Sequence, residues 1–139
     1  MAGLFLVLMI PVAMVAVPCA FESWMSGVVG CENRTLAEYF SPDASMKVVV
    51  FERDCGATTA FSTQASILPG PSTLANLAGN MFSADTDHGR APAATWGGPT
   101  LDVRWLDTHR VVLDHDERAR IFRAEERVSG IDVFYNREP

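Results

Sequence analysis

Short stretches in which apolar and polar residues alternate follow one another from residue 46 to the C-terminus. Alternation with a period of two puts successive side chains on opposite faces, which is typical of β-strands. The segment Met46–Asp54 is apolar on both faces at its centre, which predicts a strand covered on both sides. Residues 60–68 set Phe61 and Ile67 against Ser62 and Gln64, which predicts a half-buried strand.

The same pattern recurs in five further segments, at 80–85, 101–106, 110–114, 118–125 and 131–135. Turn-forming residues separate these segments, and a Ser-Gly dipeptide is expected to join the last two into a pair. No helical pattern lies between them, which disfavours a parallel sheet with crossover helices. We therefore predict an all-β fold, an antiparallel sandwich or rolled sheet of about six or seven short strands.

The chain begins with an apolar segment, residues 1–21, that contains no charged side chain. We predict that it forms a helix preceding the β domain and acts as a signal peptide or as a retained membrane anchor, with a buried helix as a third alternative. Residues 22–45 are predicted to be a linker, with a short helix over 34–40 that Asn33 would cap. Residues 46–139 then form the β domain. The expected location is extracytoplasmic, periplasmic or anchored to the membrane.

The charge balance restricts the classes of partner. The net charge is −6, and Lys47 is the sole lysine in the sequence. An acidic surface argues against nonspecific binding to nucleic acid or to anionic lipid, so the expected partner is an unidentified envelope protein or ligand. Phosphate-binding loops and dinucleotide fingerprints do not occur in the sequence, so no cofactor is predicted.

Three cysteines are present, and two of them, Cys31 and Cys55, lie outside the leader. In an oxidising compartment these two are expected to form a disulfide. Two alternatives remain open. The run Val28-Val29-Gly30-Cys31 has the layout of a lipidation site, which would consume the Cys31 thiol. Cys55 could also act as a nucleophile, which would require a lowered thiol pKa and a nearby base.

Acidic residues and histidines cluster in two further places. Asp85, Asp87 and His88 precede a glycine, but the ligand spacings of a calcium or zinc site are missing, so we predict a polar turn and no metal. The run Asp-His-Asp-Glu at 114–117 is predicted to be a hairpin tip.

The sequence also resembles a known family. The residues Ser41-Pro42-Asp43 and the run Phe51-Glu52-Arg53-Asp54-Cys55-Gly56-Ala57-Thr58-Thr59 are similar to those of small exported bacterial proteins and lipoproteins with no assigned activity. The resemblance extends over about residues 31–135. It implies an extracytoplasmic β domain and nothing about its chemistry.

Two functions follow as hypotheses. The first is a non-enzymatic binding or structural module of the cell envelope. Its expected contact surface combines residues of two loops and a strand end: Arg53, Asp54, Thr58, Thr59, Asp87 and His88. The second is a small hydrolase that uses either Cys55 or the cluster of Asp85, Asp87 and His88.

Overall fold

The computed structural model describes residues 30–56 and 59–139. This part of the chain consists of strands and connecting loops, and it contains no helix. The strands are β1 (Glu32–Phe40), β2 (Met46–Asp54), β3 (Ser62–Pro69), β4 (Phe82–Asp85), β5 (Leu101–Asp107), β6 (Arg110–Asp116), β7 (Arg120–Ala124), β8 (Arg127–Val128) and β9 (Ile131–Glu138). The all-β prediction is confirmed for these residues, but they form nine strands and not about six or seven. The predicted leader helix at 1–21 lies outside them.

The strands form two sheets. One sheet has the order β1-β2-β3-β4-β7 and is antiparallel throughout. The other has the order β5-β6-β9-β8, and its central pair, β6 and β9, is parallel. The prediction of a purely antiparallel arrangement is therefore wrong for the second sheet. The parallel pair arises because the chain leaves the second sheet after β6, adds β7 to the first sheet, and then returns to the second sheet to form β8 and β9.

The core lies between the sheets. It is built from side chains at alternate positions of the central strands, such as Val48 and Val50 of β2 and Val111 and Leu113 of β6. Two hydrogen bonds from aromatic residues join the sheets at opposite sides. Trp105 Nε1 of β5 donates to the Tyr39 carbonyl of β1 at 2.9 Å. The Tyr135 hydroxyl of β9 lies 2.8 Å from the Glu125 carbonyl, just after β7, and 3.0 Å from the carbonyl of Met81, just before β4.

The predicted short helix over 34–40 is wrong, because these residues belong to β1, the edge strand of the first sheet. The pairing of β1 with β2 shifts register between Thr35 and Ala37, so Leu36 is an extra residue. Leu36 and Tyr39 both pack against the core. A bulge thus gives two core residues a spacing of three, which resembles a helical pattern in the sequence.

Strand β3 is buried on both faces and not half-buried as predicted. The segment before β4 covers its outer face. The backbone N–H of Gly79 donates to Gln64 Oε1 at 2.7 Å, and the backbone N–H of Asn80 donates to Ser66 Oγ at 3.1 Å. The polar side chains of Gln64 and Ser66 therefore anchor this loop.

The C-terminal pairing also differs from the prediction. The Ser129-Gly130 turn is present, with positive φ at both residues, as a tight two-residue hairpin requires. It joins β8 to β9, whereas β7 pairs with β4 in the other sheet. The run at 114–117 is likewise not a hairpin tip. Its first three residues belong to β6, and the turn that follows leads into the other sheet.

Candidate functional site

The predicted disulfide between Cys31 and Cys55 is confirmed. Register explains it: β1 and β2 pair Glu32 with Asp54, so the next residues outward stand opposite each other. Because the Cys55 sulfur is bonded, it cannot form the thiolate that a nucleophile requires. The Cys31 sulfur is likewise unavailable to carry a lipid. The bond ties the first residues of the described chain to the end of β2.

An open groove of about 410 Å³ begins beside this disulfide, on the face of the first sheet that points away from the core. Its floor is a row of side chains that crosses four strands. The register pairs Arg53 of β2 with Ser62 of β3 and Asp85 of β4 with Arg120 of β7. Because β3 and β4 pair Thr63 with Ala84, the same register brings Ser62 opposite Asp85. The outward side chains of this row therefore share one surface.

Arg53 stands at the end of the row next to the disulfide. Its Nη1 donates to Asn33 Oδ1 at 2.6 Å. The Asn33 amide is itself fixed, because its Nδ2 donates to the carbonyls of Ala75 and Leu77 at 3.2 Å and 2.6 Å. Among the residues that the structure describes, no carboxylate pairs with the Arg53 guanidinium. The guanidinium is thus oriented by a neutral amide.

Asp85 and Arg120 form an ion pair at the other end of the row. The guanidinium donates to both carboxylate oxygens, through Nε to Oδ1 at 3.1 Å and through Nη2 to Oδ2. Burial alone would raise the pKa of Asp85, but the hydrogen bonds from Arg120 and from the Asp87 backbone N–H, with the charges of Arg120 and His88, lower it below its ordinary value. The Asp85 carboxylate is therefore charged at neutral pH and neutralised locally by Arg120.

Phe122 forms part of the wall beside this ion pair. The pairing of β4 with β7 shifts register between Ser83 and Ala84, so Phe122 is the extra residue of a bulge. Its side chain is 60% exposed. The Arg120 guanidinium carbon lies 5.0 Å from the centroid of its ring. A bulge at the edge of a sheet commonly redirects a side chain toward a site, and here it adds an aromatic ring to a polar groove.

Neutral polar side chains occupy the middle of the groove, from Ser62, Gln64 and Ser83. Ser62 Oγ donates to the Arg53 carbonyl at 3.2 Å and accepts from Gln64 Nε2 at 3.0 Å. Each of these groups retains hydrogen-bonding capacity, because a hydroxyl has two lone pairs and an amide nitrogen has two hydrogens. The arrangement can bind a polar ligand through side chains alone.

The structure brings some residues of the predicted contact surface into the groove and leaves others outside it. Arg53, Thr59 and His88 line the groove. Asp54 and Asp87 do not line it. The Asp54 side chain accepts from the Gly56 backbone N–H at 2.8 Å, and Asp87 pairs with Arg90 at 3.2 Å. Thr58 lies outside the described residues.

Asp85 and His88 both line the groove, but within the described residues no ion pair or hydrogen bond joins the side chains of Asp85, Asp87 and His88 to one another. Asp85 is paired with Arg120, and one of its oxygens accepts from the Asp87 backbone N–H at 2.9 Å. His88 is exposed with a φ of 58°, in the turn that follows β4. Across residues 30–56 and 59–139, no three metal-ligating side chains are grouped in a way that could hold an ion.

Sequence reasoning missed the contributions of Ser83, Arg120 and Phe122 to the groove. Arg120 and Phe122 lie on β7, which is far from Arg53 in the sequence and joins the first sheet only after the chain has left it. The alternation in the run Arg-Ile-Phe-Arg at 120–123 does indicate a strand. Nothing in that run shows which sheet it joins.

Within the described residues, no helix is long and apolar enough to cross a membrane. Comparison of the chain with protein-family models, with curated proteins and with solved structures gives no match.

Proposed function

We propose that the protein is an extracytoplasmic binding module of the cell envelope, without enzymatic activity, and that its groove receives a ligand with an anionic group. One observation carries this proposal. Arg53 is oriented by its hydrogen bond to Asn33 at one end of a polar groove, and no carboxylate among the described residues pairs with it. An oriented cation of this kind binds an anion with little loss of side-chain entropy.

The charge around the groove supports the proposal. Its described lining contains two arginines, Arg53 and Arg120, and one carboxylate, Asp85, which gives a local charge of +1 when His88 is neutral. The whole chain carries a net charge of −6. A locally positive groove on an acidic protein attracts a small anion and disfavours extended polyanions, which the rest of the surface would repel.

The disulfide supports the extracytoplasmic part of the proposal. Disulfides persist in oxidising compartments and are rare in the cytosol. The family resemblance around Cys55 and the uncharged leader point the same way. Cell fractionation followed by alkylation with and without reductant tests this part. Recovery of the protein in the cytosolic fraction with Cys31 and Cys55 reduced would contradict it.

Acetate is the simplest probe of the groove, because it carries only the carboxylate. We expect titration with sodium acetate, against sodium chloride at equal ionic strength, to shift the backbone amide resonances of residues 53 and 62 in ¹⁵N-correlated NMR spectra. Arg53→Gln should abolish these shifts. Arg104→Gln is the matched control, because Arg104 is an exposed arginine on β5 of the other sheet. Equal shifts around both arginines would refute a dedicated anion site.

A further inference from the structure

We propose that the ligand of the groove is an acidic oligosaccharide, a sugar chain that carries a carboxylate of the hexuronate type; this identification of the ligand class rests on the binding function proposed above. The carboxylate would pair with Arg53, and a sugar ring would lie against Phe122. The hydroxyls of the intervening part would contact the neutral side chains of the floor.

The length of the groove sets the size of the ligand. Arg53 lies on β2 and Arg120 on β7, and two strands lie between them. Neighbouring strands are about 4.8 Å apart, so the row spans about 14 Å. A single carboxylic acid at Arg53 would leave most of that length empty. A short chain of rings would fill it and reach Phe122.

The chemistry of the floor favours hydroxyl-rich ligands. Between the two arginines the floor presents three neutral groups, Ser62, Gln64 and Ser83. The Ser62 hydroxyl donates to the Arg53 carbonyl and can still accept, whereas the Gln64 amide oxygen accepts from Gly79 and its nitrogen can still donate. A sugar hydroxyl both donates and accepts, so it can match either kind of group. A second free carboxylate or a phosphate chain would require further cations, but Arg120 is already paired with Asp85.

Phe122 supplies the apolar contact. Phe122 is 60% exposed at the edge of a polar groove, and the Arg120 guanidinium lies over one face of its ring. An exposed aromatic ring beside hydrogen-bonding groups marks a binding surface for a ligand that has both apolar and polar faces. A sugar ring has this character, because its C–H groups form an apolar face and its hydroxyls project from the rim.

The backbone beneath the groove argues against a peptide that adds as a strand. Strands β2, β3 and β4 each have a hydrogen-bonded neighbour on both sides. Their backbone groups are therefore committed to the sheet, so beside the groove a peptide could add as a strand only at the outer edge of β7 and not along the row between Arg53 and Arg120. Recognition along that row relies on side chains, as it does for a saccharide.

The test is calorimetric titration of the full-length protein with glucuronosyl-cellobiose, a trisaccharide that carries a single carboxylate, with neutral cellotriose as the matched ligand. We expect glucuronosyl-cellobiose to bind at least tenfold more tightly than cellotriose. Arg53→Gln and Phe122→Ala should each weaken it at least tenfold. Two controls should leave the affinity unchanged: Arg104→Gln, and Phe134→Ala, which removes an exposed aromatic residue from β9 of the other sheet.

Other results would separate the proposed ligand class from the proposed anion-binding function. If acetate shifts the groove resonances but glucuronosyl-cellobiose does not bind, the ligand class is wrong and the anion-binding function stands. If hexaglutamate or adenosine monophosphate binds through Arg53 more tightly than glucuronosyl-cellobiose, the saccharide proposal is overturned in favour of that class. If no probe perturbs the groove, both proposals fail.

Discussion

Removing the disulfide should cost a large part of the stability of this domain. The perturbation is the double variant Cys31→Ala with Cys55→Ala, because a single replacement would leave a free thiol. The two cysteines are 24 residues apart in the sequence. In the chain-entropy treatment, closing a loop of that size restricts the unfolded chain and contributes about 3.5 kcal/mol. The stability of a whole domain is typically only about 5–15 kcal/mol.

The same figure can be expressed as a melting temperature. A domain of about 110 residues gains roughly 0.23 kcal/mol per kelvin of entropy on unfolding, so a loss of 3.5 kcal/mol lowers Tm by about 15 °C. Circular dichroism of the purified, unreduced protein would measure this shift, and urea unfolding would give the free energy directly. Cys19→Ala is the control, because it leaves the disulfide intact and should not change Tm.

Two results would refute this reasoning. A Tm decrease below about 4 °C in the double variant would show that the bond contributes little beyond the pairing of β1 with β2. Mass analysis after alkylation without reductant would be still more direct. If Cys31 and Cys55 of the wild type were both labelled, the bond would not exist in the protein.

Three further substitutions test the contacts around the groove and the core. Asp85→Asn should lower the free energy of unfolding by about 2 kcal/mol at pH 7, because the ion pair with the partly exposed Arg120 is lost. Folding lowers the pKa of Asp85, so the contribution of the carboxylate to stability is present above about pH 4 and disappears on acidification. Equal stabilities of wild type and variant in urea at pH 7 would contradict this. Thr63→Val should lower the free energy of unfolding by about 2 kcal/mol and shift the Trp96 fluorescence to longer wavelength, because the buried hydroxyl accepts a hydrogen bond from Trp96 Nε1 at 2.9 Å. An unchanged emission maximum would contradict this. Tyr135→Phe should lose about 1 kcal/mol in urea unfolding, because its hydroxyl bonds to the carbonyls of Glu125 and Met81, next to the ends of β7 and β4 in the first sheet. Unchanged stability would show these bonds to be dispensable.

Each of these substitutions has a matched control. Asp87→Asn changes a neighbouring carboxylate whose partner is an exposed arginine, so a small effect is expected. Thr100→Val removes a hydroxyl from an exposed residue. Tyr39→Phe removes a hydroxyl from a half-buried tyrosine whose backbone carbonyl, and not its side chain, bonds to Trp105. All three should unfold within about 0.5 kcal/mol of the wild type.

Local patterns in the sequence were sufficient where a strand interacts only with its neighbours in the chain. Periodicity gave the bounds of β2 at Met46–Asp54, and turn chemistry gave the Ser129-Gly130 turn. The number and placement of the cysteines gave the disulfide. Period-two patterns failed where a bulge changed the alternation, as at Leu36. They also gave no order of strands, because order depends on which faces pack together after the chain has crossed between sheets.

The groove shows this limitation most clearly. One side of it, around Arg53 and Ser62, comes from consecutive strands and could be located from the sequence. The other side, with Arg120 and Phe122, depends on two facts that have no local sequence signature. Strand β7 leaves its sequence neighbour β6 to pair with β4, and a bulge inserts Phe122 opposite that pairing. The half of the proposed site that contains Arg120 and Phe122 could therefore not be predicted from the sequence.

The disulfide and the proposed anion site belong to the same structural unit. Cys31 is two residues from Asn33, and Asn33 holds the Arg53 guanidinium, while Cys55 is two residues beyond Arg53 on the partner strand. Strand β1 is an edge strand with no neighbour on its other side in the described sheet. Without the covalent bond, its first residues have mainly the hydrogen bonds to β2 and to the covering loop to keep them in place. Fraying at this end would release Asn33 and free Arg53 to move, so the oxidised state and an oriented cation depend on the same few residues.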